Sequence, residues 1–402
     1  MKTITKFIFG FPMLALAWGS IAFAEIEPVT PPDSAAKAAA EAAAQGPLVG
    51  RSVSETVKFK SGSQWHLTVQ TRDQYFPGII IKGASFQKSP TSRSIYVLHD
   101  GRLAEIFVPY HLGSPRFKDI SGFNWMKMLK LDPADFPPPR EIIGGGKICK
   151  EVRDYLAWMN GEGREPPLVP LVRYGQEVVY FSVLGAGNYA YIMEWTFRDD
   201  GTILARAGST GPKLDAGAPV SIGHMHNFTW RLDIDLNGAD ANTAFWKSHS
   251  ENLTVPSTGT DNKELINIEG SRVWNPEQFN TLEIRDARLR AGPQAPLTSY
   301  ELMPLRSGTA RHSEPFTQAD FWVTRYDPAQ IRAVKLPSYI LAGQSTINKD
   351  LVIWYTGSEH HENNSRAEDF NTVPVIWTGF ELDPQNLWDK TPFYPCTDVG
   401  CG

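Results

Sequence analysis

Two histidines in the run His224-Met225-His226 are the first residues whose type and spacing suggest chemistry. On an extended strand, residues i and i+2 project from one face, so both imidazoles can converge on a single cation. Such a pair alone is common on exposed strands. A third candidate stands far along the chain in His360-His361, just past the strand-like run 351–356. Three neutral imidazoles with room left for water suit copper(II) or zinc. A second feature is Asn188-Tyr189-Ala190-Tyr191, in which Tyr189 and Tyr191 share a strand face by parity. Without context, that spacing reads as a cross-strand aromatic pair.

Both features must be held by strands. Alternation with β-branched or aromatic enrichment predicts strands at 65–70, 79–82, 94–98, 178–184, 189–197, 230–236, 320–326 and 351–356. Asp199-Asp200-Gly201 and Asn237-Gly238 have the composition of hairpin turns. Helical periodicity is weak except near 150–159, and no fixed-period repeat is evident. The expected fold is mainly β, one large antiparallel β-sandwich with few short helices.

Composition agrees. The 402 residues are 42% apolar and 21% charged, which excludes a disordered chain, a collagen-like chain and a small disulfide scaffold. Thirty-nine basic against 44 acidic residues leave a net charge of -5, so no nucleic-acid partner is expected. Lys2 and Lys6, the apolar run 7–23 and the small-x-small Ala22-Phe23-Ala24 predict a signal peptide over 1–24 and export to the periplasm or the medium. No second apolar run could span a bilayer, so no membrane association is expected after signal removal. Residues 25–48, Pro-rich and then Ala-rich, read as a linker or arm, leaving 49–402 as the sandwich. An oxidising compartment favours a disulfide between Cys149 and one of Cys396 or Cys401.

In order and spacing, these segments resemble the catalytic domain of the copper amine oxidases, the quinone-containing primary amine oxidases. The family's Asn-Tyr-(Asp/Glu/Asn)-Tyr motif, aromatic strand and Asp-Gly-Thr-Ile turn correspond to 188–203. Its His-x-His pair precedes an Arg-Leu-Asp-x-x-x-x-Gly stretch, matched by His224, His226 and 231–238. Its third histidine follows a Trp-Tyr-Thr strand, and gapless counting from Trp354 reaches His361, with His360 as the fallback. Arg366-Ala-Glu-Asp, Trp322-Val-Thr-Arg-Tyr, Tyr300-Glu-Leu-Met-Pro and Glu105-Ile-Phe-Val-Pro-Tyr match further segments, so the resemblance runs from about 60 to 395.

The resemblance implies copper(II) on His224, His226 and His361, and topaquinone formed from Tyr189. It implies oxidative deamination of a small primary amine by dioxygen, giving an aldehyde, ammonia and hydrogen peroxide. It further implies a homodimer, a quinone-facing hydroxyl at Tyr110, a ring-orienting Asn188, and a peripheral calcium site. That site would use Asp233, Asp235 and Asp350 with the carbonyls of Ile234 and Leu351, a hard oxygen set. Three departures stand out. Gapless counting from Tyr110 puts Asn124 where the family has its catalytic Asp, and an amide cannot take a proton at neutral pH. Asp119 is the nearest carboxylate and the candidate base. Ala190 replaces the acid or amide that follows the cofactor tyrosine, and Asn363-Asn-Ser lengthens the loop after the third histidine. The alternative is therefore a degenerate relative that binds copper without amine turnover, or one that uses the quinone for a different oxidation.

Overall fold

Two antiparallel sheets face one another in the computed structural model, which describes residues 50–72, 76–110, 116–122, 126–158, 173–212, 223–250, 259–305, 310–361 and 374–388. The first sheet runs, in spatial order, Ser52–Lys58, Gln64–Gln70, Ile80–Gln87, Asp100–Pro109, His224–Ile234, Leu351–His361, Phe321–Arg325 and Gly270–Arg272. Ile95–Leu98 and Arg116–Lys118 pair beside Ile80–Gln87 and Asp100–Pro109. The second runs Thr260–Ile266, Asn242–Ser250, Thr281–Arg290, Leu297–Leu305, Ile376–Gln385, Ile203–Thr210, Tyr189–Arg198, Arg173–Ala186, Ile148–Trp158 and Glu141–Ile143, with Lys127–Met128 against Arg173–Ala186. Helix among the described residues is limited to Leu336–Tyr339 and isolated 3-10 turns. The expected antiparallel sandwich is what forms.

Alternating residues of the facing strands make the core. Trp195 comes from the second sheet; Phe228, Trp230 and Tyr355 come from the first. The Phe380 ring stands nearly perpendicular to those of Trp195, Trp230 and Tyr355, at centroid distances of 6.2, 5.5 and 5.7 Å. Such edge-to-face pairs add about 0.5–1.5 kcal/mol each beyond burial. The sheets close tightly at Gly357, where a Cβ would lie 2.5 Å from the Thr378 hydroxyl oxygen. Phe316, Ala319, Ala333 and Leu336 cover the outer face of the first sheet, against Phe107 and Trp354. Strands His224–Ile234 and Leu351–His361 are thus buried on both faces.

Two expectations need correction. The helical pattern near 150–159 is the strand Ile148–Trp158, paired on one side with Glu141–Ile143 and on the other with Arg173–Ala186. Ladder bonds to two neighbours outweigh a weak local periodicity. Asn237 and Gly238 have positive φ (59° and 126°), as the pair's composition suggests, but they close no hairpin. The chain passes through Ala239–Ala241 into Asn242–Ser250 of the opposite sheet. Asp199-Asp200-Gly201 does turn between paired strands, with Gly201 at φ 100°. Residues 1–49, Asn124, 363–369, Cys396 and Cys401 lie outside the described residues; Cys149 is buried and has no disulfide partner among the described residues.

Candidate active site

The three histidines meet because their strands are neighbours. His224–Ile234 lies between Asp100–Pro109 and Leu351–His361, in a register that sets His224 opposite His361 and His226 opposite Glu359. Parity turns His224, His226, Glu359 and His361 to one buried face. His224 Nε2 and His226 Nε2 are 3.0 Å apart, and one ring nitrogen from each histidine lies within 4.8 Å of the others. The last strand continues through both histidines, so His360 projects from the other face and is exposed. His361, not His360, is the third imidazole of the cluster. Burial, followed by the nearby His224 and His361, holds His226 well below the usual imidazole range and therefore neutral.

Tyr189 arrives from the opposite sheet. The two-residue turn Gly187-Asn188 starts its strand, with Gly187 supplying φ 62°. Its hydroxyl lies 3.0 Å from His224 Nε2, 3.3 Å from His361 Nδ1 and 2.9 Å from the Tyr110 hydroxyl. Tyr110 stacks on His224 at 4.0 Å, and the Tyr189 ring meets His226 edge-on at 4.8 Å. The Asn188 amide donates to the Pro212 carbonyl, fixing the turn and not the phenol. Ala190 is half-buried and alternates to the face opposite Tyr189.

Asp119 follows the strand Arg116–Lys118 and is buried against the same aromatic pair. The Tyr191 hydroxyl donates to Asp119 Oδ2 at 2.7 Å, and the Tyr191 ring lies 5.9 Å from that of Tyr189. Burial pushes the Asp119 carboxyl up to about 7; the Tyr191 hydrogen bond pulls it down, and nearby Glu105 raises it further. Tyr191 itself is pushed well above the phenol range by burial and by Asp119, so it remains the donor. Glu105, fully buried, accepts the backbone N–H of Ile120 at 3.0 Å and the Ser121 hydroxyl, pinning the turn that carries Asp119. Sequence reasoning missed Glu105, the Tyr191–Asp119 bond and Glu359; strand parity with His361 was the available signal for Glu359.

A second cluster lies at the far end of the same strand pair. Oxygens of Asp233, Asp235 and Asp350 fall within 4.8 Å of one another, and Ile234 pairs with Leu351 beside them. Both oxygens of Asp233 and Oδ1 of Asp235 and Asp350 are buried without hydrogen-bond partners among the described residues. Burial first, against the opposing pull of Arg231 and with the neighbouring carboxylates, pushes Asp233 up to about 8. Burial and Asp350 push Asp235 up to about 7. Arg231, 3.8 Å from Asp233 Oδ2, offsets one of these charges, and a hard divalent cation suits the oxygen set that remains.

The histidine cluster likewise fits a metal. Two facing Nε2 atoms 3.0 Å apart hold at most one proton between them when neutral, whereas lone pairs converging at this spacing match ligands of one ion with bonds of about 2.0 Å. An all-nitrogen neutral donor set suits copper(II). The family model described as "Copper amine oxidase, enzyme domain" matches residues 170–398, over half the chain. The chain belongs to the copper amine oxidase family. Curated relatives extend the match toward the N-terminus. "Amine oxidase [copper-containing] alpha 2, peroxisomal" of Arabidopsis thaliana is 24% identical over 407 residues, covering 82% of this chain and 58% of its own length. "Primary amine oxidase 2" of the same plant is 26% identical, covering 82% and 57%. The chain thus spans under three-fifths of the length of these copper amine oxidases. A solved copper-containing benzylamine oxidase from Hansenula polymorpha shares the fold at TM-score 0.63 and 17% identity, over 87% of this chain and 62% of that one.

Proposed function

We propose that this chain is an exported copper- and topaquinone-dependent oxidase that deaminates a small primary amine to an aldehyde, releasing ammonia and hydrogen peroxide. The observation that carries the reading is the Tyr189 hydroxyl, within hydrogen-bond distance of His224, His361 and Tyr110 at once. His224, His226 and His361 would hold copper(II), and Tyr189 would be the quinone precursor. The quinone, once formed, supplies an electrophilic carbonyl and a two-electron sink for the amine. Tyr110 positions the phenol oxygen of Tyr189 through its own hydroxyl. Asp119 stands in for the missing Asp at 124: its carboxylate takes the proton from the carbon next to the amine nitrogen, and a carboxyl tuned to about 7 suits that task near neutral pH. The aromatic and histidine walls around Tyr189 exclude water from that transfer. Asp233, Asp235 and Asp350 would hold calcium at the strand end away from the copper ligands. The working unit is a homodimer, as the family resemblance implies.

The test is metal analysis with phenylhydrazine titration of wild type beside Tyr189→Phe, after loading with copper and air. Wild type should bind one copper per chain and form a hydrazine-reactive visible band; Tyr189→Phe should bind copper and form none. A colourless, copper-loaded wild type would favour the degenerate copper-binding reading, and identical behaviour of the two proteins would remove Tyr189 from the assignment.

A further inference from the structure

Glu359 is a buried carboxylate with no part in the chemistry described above. It sits opposite His226 in the register of the two histidine strands and is 4% exposed. Its Oε1 accepts the hydroxyl of Ser209, which belongs to the other sheet and pairs with Tyr191 there. Among the described residues its Oε2 has no hydrogen-bond partner, and neither does Nδ1 of the fully buried His226. Glu359 Oε1 and His226 Nδ1 are 4.0 Å apart. A complementary acceptor and ring nitrogen therefore face one another with no other partner for that nitrogen among the described residues.

We propose that Glu359 is a positioning residue for the metal site: it accepts the Nδ1 hydrogen of His226 and so fixes which ring nitrogen His226 turns to the ion. This rests on the copper site proposed above. A neutral imidazole carries one proton, and His226 Nε2 is the nitrogen that faces His224 and the cluster. Ligation through Nε2 puts the proton on Nδ1, where it needs an acceptor. Ring rotation that shortens the gap by about 1 Å brings the pair into hydrogen-bond range. An outer carboxylate of this kind fixes the tautomer and raises the basicity of the ligand. Because Ser209 holds the same carboxylate, the contact also links the histidine sheet to the strand beside Tyr189.

The experiment compares the full chain with Glu359→Leu and Glu359→Gln. It measures copper affinity by competition with a chelator of known strength, the copper hyperfine pattern by EPR, and the melting temperature before copper loading. Glu359→Leu should lose about 10–100-fold in copper affinity and change the hyperfine pattern. Glu359→Gln keeps an amide oxygen as acceptor, and should stay within a few-fold of wild type with the wild-type pattern. Both should melt near wild type before loading. Leu as tight as wild type overturns the proposal. So does Gln as weak as Leu, because that points to direct coordination by a charged oxygen. A wild type that binds no copper would instead overturn the copper site itself.

Discussion

Replacing Tyr191 by Phe deletes one hydroxyl and leaves the ring where it packs, 5.9 Å from Tyr189 and from His226 and 5.8 Å from Phe228. What is lost is the 2.7 Å bond to Asp119. That bond stabilises the carboxylate over the acid, and burial leaves Asp119 few other donors. A hydrogen bond to a charged group is worth about 1.5–3 kcal/mol. At about 1.4 kcal/mol per unit, its loss should move the Asp119 carboxyl up by about one to two units. A base works only when deprotonated, so the acid limb of kcat/KM should move from about 7 in wild type to roughly 8–9 in Tyr191→Phe. Near pH 7, where half of the wild-type base is deprotonated, the variant should be about five- to fifty-fold slower, while the high-pH plateau changes little. The assay is peroxide release from a simple primary amine across pH 5.5 to 10, with the quinone titrated in each preparation. A limb that stays put while the plateau falls would refute the reasoning: Tyr191 would then be a packing residue, or Asp119 would not be the base.

Asp119→Asn should lower turnover by about 10²–10⁴-fold with the hydrazine-reactive band intact, and unchanged turnover would remove Asp119 from the mechanism. The acidic cluster ties stability to pH. Because burial raises Asp233 and Asp235 above their unfolded values of about 3.9, the folded chain holds those protons more tightly. The resulting stability is complete below about pH 4 and is lost as pH rises through about 7 and 8. In chelator-treated protein the melting temperature should therefore fall across that window. Calcium at a hundredfold excess over its Kd should restore about 2.7 kcal/mol at pH 8.5 and far less at pH 5, and an equal effect at both would argue against the site.

Parity along a strand is local, so the sequence alone determined that His224 and His226 share a face, that Tyr189 and Tyr191 do, and that the chain is a turn-rich antiparallel β protein. The ordered motifs carried the family as well. Which strands lie side by side is not local. His224 and His361 are far apart in the chain, and only the sheet order and its register decide that His361 faces inward while His360 faces out. The same holds for Asp119, which a gapless count passes over but which Tyr191, on the opposite sheet, engages directly. Glu359 gains its meaning from His226 across the ladder and Ser209 across the sandwich. At Ile148–Trp158 and at Asn237-Gly238, local pattern gave the wrong element or the wrong destination. Ladder bonds and burial against distant strands outweigh local preference there, and both depend on residues far away in the chain.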